Sequence, residues 1–389
     1  MSDIIYMDHN ATTPMAPEVL EAMVPWLREG YGNPSSIYRL AQEAREAVET
    51  ARERVADLLG ADPSEIYFTS GGTEANNWAI KGVAWAAKEK GTHIITSKIE
   101  HHSVLNVCRY LEGLGFRVTW ADVDRYGLVD IDQISNSITD QTILISIMFA
   151  NNEVGTIEPV EEIARLAKER GIPFHTDAVQ VVGKLPLNVG ELGVDLLSLS
   201  GHKFYGPKGI GALYIRKGTK LHPFHHGGEH ERGMRAGTEN VPGIVGLGKA
   251  CQMAQEGIED EERVKGLRDR LWEGLSSRID DILLNGHPER RLAGTLNLCV
   301  KYVEGESMLL NLDMEGIAAS SGSACTSGSL EPSHVLTAMG IPPEVAHGSL
   351  RFSLGRETTE EEVEKVIEVL PPIVERLRAI SPFGKGRPL

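Results

Sequence analysis

Between Ile37 and Gly60 the apolar positions Leu40, Ala44, Ala47, Ala51, Val55 and Leu58 recur at steps of three and four, with Arg and Glu between them. That spacing predicts one long amphipathic helix. Downstream the pattern shortens to β-rich runs separated by helical stretches. Glu65–Phe68, His93–Thr96, Arg117–Trp120, Thr142–Phe149, Pro173–Thr176 and Val194–Leu199 predict strands, and helices are expected after Thr73, after His102 and over Val160–Arg170. This alternation predicts β-α units, and so an α/β fold with a mostly parallel sheet covered on both faces. Thr142–Phe149 is almost continuously apolar, as suits a strand buried on both sides. Near residue 255 the texture changes. Gln255–Arg270 is charged and helical, and a mixed region follows. The last helix opens on a capping box, Thr359-Glu360-Glu361-Glu362, ahead of Val363, Val366, Ile367 and Leu370. A domain boundary is expected near residue 255, and a loose tail over Ser381–Leu389.

The chain has 389 residues, which at about 150 residues per domain points to roughly two or three domains. With 39 basic and 55 acidic residues the net charge is −16. That balance speaks against a general nucleic-acid-binding surface. The four cysteines, Cys108, Cys251, Cys299 and Cys325, form no CxxC pair. They make neither a disulfide framework nor a zinc site, so a reducing compartment, the cytoplasm, is expected. No secretory signal is expected, because Asp3 and Asp8 precede the first basic residue, Arg28. The apolar stretch Ile143–Ala150 is far too short to cross a bilayer, so no membrane partner is expected.

Several segments carry residues suited to chemistry. Thr69-Ser70-Gly71-Gly72-Thr73-Glu74 stands between a predicted strand and a predicted helix. Its glycines let backbone approach an anion, and the helix's first N–H groups attract phosphate; a plain turn would need the same residues. Ser200-Gly201-His202-Lys203-Phe204-Tyr205-Gly206-Pro207 follows a strand's carboxyl end, where open α/β sheets bind ligands. Lys203 there suits a Schiff base with a carbonyl cofactor, although nearby Lys208 shows that a loop lysine alone is not diagnostic. Asp177, at another carboxyl end, suits either a pyridine nitrogen or a helix cap. Glu100-His101-His102-Ser103 offers an imidazole for stacking or proton transfer. Ser320–Gly328 is small and polar and presents Cys325, whereas Cys299 sits in the apolar run Leu296–Val300 and reads as core. A nucleophilic Cys325 needs a base or positive charge nearby. Arg351, in Ser349–Leu354, can grip a carboxylate or pair with an acid on its strand. His222, His225, His226 and His230 lack the spacing of a metal site, and no intrinsic metal is expected.

In order and spacing these segments resemble the pyridoxal-phosphate-dependent cysteine desulfurases of the NifS/IscS type, within the class-V aminotransferases. The resemblance runs from Tyr6–Pro14 (YMDHNATTP) to Ser349–Arg356. It is most specific at Ser200–Gly206, His226–Thr238 (HGGEHERGMRAGT) and Ser320–Ser327 (SSGSACTS). It implies the pyridoxal-phosphate transferase fold type I, like aspartate aminotransferase. A large cofactor-binding domain would span 14–255. A small α/β domain would combine 1–13 with 256–389 and carry the catalytic-cysteine loop at about 320–333.

Carried over residue by residue, the resemblance implies that Lys203 binds the cofactor aldehyde and Asp177 the pyridine nitrogen, while His101 stacks on the ring and moves protons. Gly72, Thr73, Ser200 and His202 would hold the phosphate. Thr238 would reach the phosphate of the other subunit, implying a homodimer. Gln180 and Asn152 would face the ring hydroxyl, and Asn152 with Arg351 the substrate carboxylate. Cys325 would take sulfur from L-cysteine as a persulfide and leave L-alanine. The sulfur would pass to an iron–sulfur scaffold of the NifU/IscU type or another acceptor, which leaves open a transient iron–sulfur contact at Cys325. Ile37 and Tyr38 follow Asn33-Pro34-Ser35-Ser36 where relatives often carry a histidine, and Tyr38 reads as a packing change. A selenocysteine lyase or a silent docking protein is a weaker reading. The first needs no cysteine loop, and the second needs none of Lys203, Asp177, His101, Cys325 and Arg351.

Overall fold

The computed structural model describes residues 4–257, 260–321 and 332–381. Cys325 and the tail after Ser381 therefore lie outside the described residues. In chain order the first elements are β1 (Ile5–Tyr6), α1 (Pro17–Arg28), α2 (Arg39–Leu59), β2 (Ile66–Thr69), α3 (Gly72–Ala87), β3 (His93–Ser97), α4 (His102–Glu112) and β4 (Arg117–Ala121). Then come α5 (Ile131–Ser137), β5 (Thr142–Ser146), α6 (Val160–Arg170), β6 (Phe174–Asp177), α7 (Val189–Leu192), β7 (Leu196–Ser200), β8 (Gly211–Ile215) and α8 (Val241–Gly257). The remainder comprises α9 (Glu261–Ser276), β9 (Ile282–Asn285), β10 (Thr295–Val300), α10 (Gly305–Met314), β11 (Ile317–Ala318), α11 (His334–Ala338), α12 (Pro343–Ala346), β12 (Ser349–Ser353) and α13 (Glu360–Ile380).

Seven strands form one sheet in the order β2-β8-β7-β6-β5-β3-β4. All run parallel except β8, which is antiparallel to both neighbours. Crossover connections through helices are what parallel pairing requires. The apolar face of α2, including Val48, Ala51 and Val55, packs with α1, α6 and α8 residues on one side of the sheet. Residues of α3 and α4, among them Trp78, Ile80 and Leu111, cover the other. α2 stops where Gly60 turns left-handed, with φ 63°.

Each predicted strand is present, displaced at most a few residues. β5 ends at Ser146, but Ile147 and Phe149 still donate to His175 and Asp177 carbonyls at 3.1 and 2.9 Å, which explains the longer apolar run. Gln255–Arg270 is expected to be helical; α8 runs to Gly257 and α9 from Glu261, and residues 258–259 between them lie outside the described residues.

The second body is a three-stranded antiparallel sheet, β12-β10-β9, backed by α9 and α13. Thr359 and Glu362 form the expected capping box at the start of α13. Pro371 inside α13 cannot donate to the Ile367 carbonyl, which accepts from Arg278 instead, at 3.4 Å. The N-terminal segment joins the two bodies. β1 pairs with β11, Met7 is buried in the smaller core, and Thr13 N–H then reaches the His202 carbonyl at 2.9 Å. On this packing we propose 14–255 as one domain and 1–13 with 256–389 as the other. No described helix is long and apolar enough to cross a membrane.

Candidate active site

β2, β3, β5, β6 and β7 all end on one edge of the large sheet, at Thr69, Ser97, Ser146, Asp177 and Ser200. Their following loops enclose a cavity of about 560 Å³. It is lined by Gly72, Thr73, His101, Asn152, Asp177, Gln180, Ser200, His202, Lys203 and Arg351. Residues scattered over most of the chain thus meet where parallel α/β sheets bind ligands.

Lys203 sits in a single 3-10 turn, Gly201–Lys203, directly after β7. Its Nζ donates to the carbonyls of Asn10 and Ala11 at 2.5 and 2.8 Å. Asp177 closes β6. Its Oδ1 accepts from Val179 N–H at 3.0 Å and its Oδ2 from Asn76 Nδ2 at 2.6 Å. The capping geometry and the cavity position therefore coexist. His101 precedes α4 and accepts Ser103 N–H through Nδ1 at 3.2 Å. Burial holds its pKa below the ordinary histidine value, against the opposing pull of Asp177.

At α3 the sequence makes an anion cradle. Gly71 takes φ 145°, open to glycine, and the helix starts at Gly72 with first-turn N–H groups that have no helical acceptor. A Cβ on Gly72 would meet Val179 Cγ2 at 2.6 Å, so no side chain fills this space. Ser200 and His202 line the same cavity. Burial pushes His202 down to about 4, which leaves it a neutral hydrogen-bonding group, and its Nδ1 lies 3.1 Å from Thr12 Oγ1. Gln180 Nε2 donates to the Asn10 carbonyl at 2.9 Å.

The smaller body supplies Arg351 from β12, only 2 % exposed. Nη1 donates to the Asn152 carbonyl at 2.9 Å and Nη2 to Asp8 Oδ1 at 2.7 Å. The salt-bridge reading and the cavity reading of this arginine both describe it. Beside it, Ser320 exchanges backbone hydrogen bonds with Arg351. On the far side of the cysteine segment Ser333 donates to Glu153 at 2.5 Å, and His334 lies 3.0 Å from the Glu100 carbonyl. Glu153 and His334 line the cavity.

Thr238 is not in this cavity. It lines an adjoining cleft that shares Ser70 and Gly209 with it, and it is exposed in the single chain. Tyr38 caps α2 at the surface, away from the cavity. The sequence reading missed Asn10, Asn76, Ser103, Glu153 and His334. All five line the cavity; Asn10, Ser103 and Glu153 stood beside residues already singled out, and Asn76 and His334 did not. Among the described residues no group of His, Cys, Asp or Glu could hold a metal ion.

Fold and cavity together define a lysine-centred α/β enzyme of the pyridoxal-phosphate transferase type. The chain belongs to the aminotransferase class-V family, which it matches over residues 5–366. It is 60% identical over 380 residues to a protein named cysteine desulfurase IscS from Methanosarcina thermophila, covering 97% of this chain and 94% of the relative. A solved NifS-like protein superposes with a TM-score of 0.91 at 41% identity, covering 96% of this chain and all of that one. A structure described as SspA in complex with cysteine gives a TM-score of 0.80, also at 41% identity, over 91% of this chain and 99% of the other.

Proposed function

We propose that this chain is a pyridoxal-phosphate-dependent cysteine desulfurase, taking sulfur from L-cysteine onto Cys325 and releasing L-alanine. The observation that carries the reading is the meeting of Lys203, Asp177 and His101 with Arg351 from the smaller body in one cavity, in a chain 60% identical to a cysteine desulfurase. The residues fit the cofactor. Lys203 offers an amine for its aldehyde and Asp177 a carboxylate for the ring nitrogen. The α3 N-terminus with Ser200 and His202 suits the phosphate, and Asn152 and Gln180 the ring hydroxyl. When bound, the cofactor withdraws electrons from the substrate's α-carbon.

The remaining chemistry falls to the chain. Arg351 and Asn152 orient the substrate carboxylate, as two parallel guanidinium hydrogen bonds do. With the cofactor bound, Lys203 would take the α-proton, and His101 would move a proton near it. The Cys325 thiolate attacks the substrate sulfur. The Cβ–S bond breaks with its electron pair left on Cβ, and a proton delivered there completes the methyl group. Lys203 returns its proton to the α-carbon to give alanine, and the transferred sulfur remains on Cys325 as a persulfide. Ser320, five positions before Cys325 in sequence, is held by backbone hydrogen bonds on Arg351, which lines the cavity.

We read the active form as a cytoplasmic homodimer, with Thr238 serving the partner subunit's site. The sulfur acceptor is an iron–sulfur scaffold of the NifU/IscU type or a comparable recipient. The test is direct. Cofactor-loaded protein given L-cysteine should produce alanine, and sulfide under reducing conditions. Lys203→Ala should lose the yellow absorbance of lysine-bound cofactor. Retention of that absorbance would reject the lysine, and absence of alanine from the wild type would reject the activity.

A further inference from the structure

Asp177 and His101 are joined by a run of hydrogen bonds through two side chains that the resemblance does not assign. Asn76, on α3, is 1 % exposed. Its Nδ2 donates to Asp177 Oδ2 at 2.6 Å and to Ser103 Oγ at 2.8 Å. A carboxylate only accepts, so the amide must turn its nitrogen towards Asp177. The second Nδ2 proton then occupies Ser103 Oγ as acceptor. The hydroxyl's own proton goes to the remaining neighbour, His101 Nδ1, at 2.8 Å. The Ser103 backbone N–H meets the same nitrogen at 3.2 Å. With two donors directed at it, Nδ1 carries no proton. In the neutral ring the proton is then on Nε2.

We propose that Asn76 and Ser103 are positioning residues that hold His101 in the Nε2–H tautomer. Burial favours the neutral ring, and Lys203, His102 and His334 act in the same direction, while Asp177 opposes them. The catalytic consequence rests on the desulfurase reading: His101 enters turnover as a proton donor through Nε2, and Lys203 is left as the acceptor. Ser103 acts through His101, and Asn76 through Ser103 and Asp177.

Solid-state spectra of cofactor-loaded protein with ring-15N histidine read the tautomer without turnover. His101 is assigned by the signal that His101→Gln removes. The wild type should show Nε2–H. Ser103→Ala should show both tautomers, and its kcat for alanine should fall roughly tenfold with little change in KM, the scale of one lost hydrogen bond to a reacting group. With the hydroxyl donor gone and only the backbone N–H of residue 103 left at Nδ1, the ring protonates more readily, so the acidic limb of the kcat profile should move to higher pH. Ser103→Thr, which keeps the hydroxyl, should restore both readouts, and Asn76→Ala should give a smaller loss. An Nδ1–H wild type, or Ser103→Ala spectra identical to wild type, would overturn the proposal. Wild-type protein with the Nε2–H signal but no alanine production would sustain the hydrogen-bond relay and reject the desulfurase reading.

Discussion

Glu100, one residue before His101, is fully buried. Its Oε1 accepts from Ser97 Oγ at 2.6 Å and from Met148 N–H at 3.0 Å. Those bonds favour the charged form, yet burial outweighs them and, with the nearby charge of Asp177, pushes the carboxyl up to about 8. Above its unfolded value near 4.5 the folded protein holds a proton that the unfolded chain has released. Stability therefore falls as pH rises through this window and levels off above the folded value. Each pH unit in the window is worth about 1.4 kcal/mol, so from about pH 5.5 to about pH 7.5 the wild type should lose about 3 kcal/mol through this group. Glu100→Gln keeps the shape and the acceptor oxygen but cannot ionise. Its stability relative to wild type should thus rise by about 3 kcal/mol between those two values. Urea unfolding of both proteins at both pH values, with cofactor occupancy held equal, measures the difference. A wild-type-to-variant difference that stays constant with pH would refute the reasoning.

Gly72→Ala should weaken cofactor binding tenfold or more in a spectroscopic titration. Its Cβ would meet Val179 Cγ2 at 2.6 Å, so Val179 or the start of α3, both lining the cavity, must shift to relieve that contact. Unchanged affinity would remove the phosphate cradle from α3. Arg351→Ala should raise KM for L-cysteine about tenfold to a hundredfold, the scale of one charged hydrogen-bonding group. It should also lower the melting temperature, because Asp8 loses its ion pair and the Asn152 carbonyl keeps only the donor from Asn10 among those described. A KM within twofold of wild type would place the substrate carboxylate elsewhere.

The parallel strands were legible as short β-rich runs between helical patterns, and β5 as a nearly continuous apolar one, whereas β3, β6 and β7 are equally buried but mix in His, Thr, Ser and Asp. The strand that runs against its neighbours, β8, escaped notice. Gly211–Ile215 is a short run just after the lysine loop, and nothing local marks its direction. In the smaller sheet β10 turns Leu296, Leu298 and Val300 to the small core, and its other face is buried as well, where Asn297 accepts from Asn285 at 2.7 Å. Cys299 could be told from Cys325 because it stands among apolar residues, and it is fully buried on β10. Lys203 and Asp177 announced themselves by following strands. Asn76 did not, because its value lies in two partners, 27 and 101 residues away in sequence. Asn10 likewise gains meaning only where the chain crosses between bodies. There its carbonyl accepts from Gln180 and Lys203, and its amide donates to Thr295 Oγ1 at 2.9 Å.

The most direct measurement follows the sulfur. Cofactor-loaded protein is given L-cysteine without reductant, and every cysteine-containing peptide is weighed by mass spectrometry. Cys108, Cys251 and Cys299 are buried, and burial raises each thiol's pKa, so none of them supplies a thiolate readily. The peptide holding Cys325 should gain the mass of one sulfur atom as alanine appears, and Cys325→Ser should abolish both. Alanine and sulfide formed undiminished by Cys325→Ser, or the added sulfur found on one of the buried cysteines, would contradict the account.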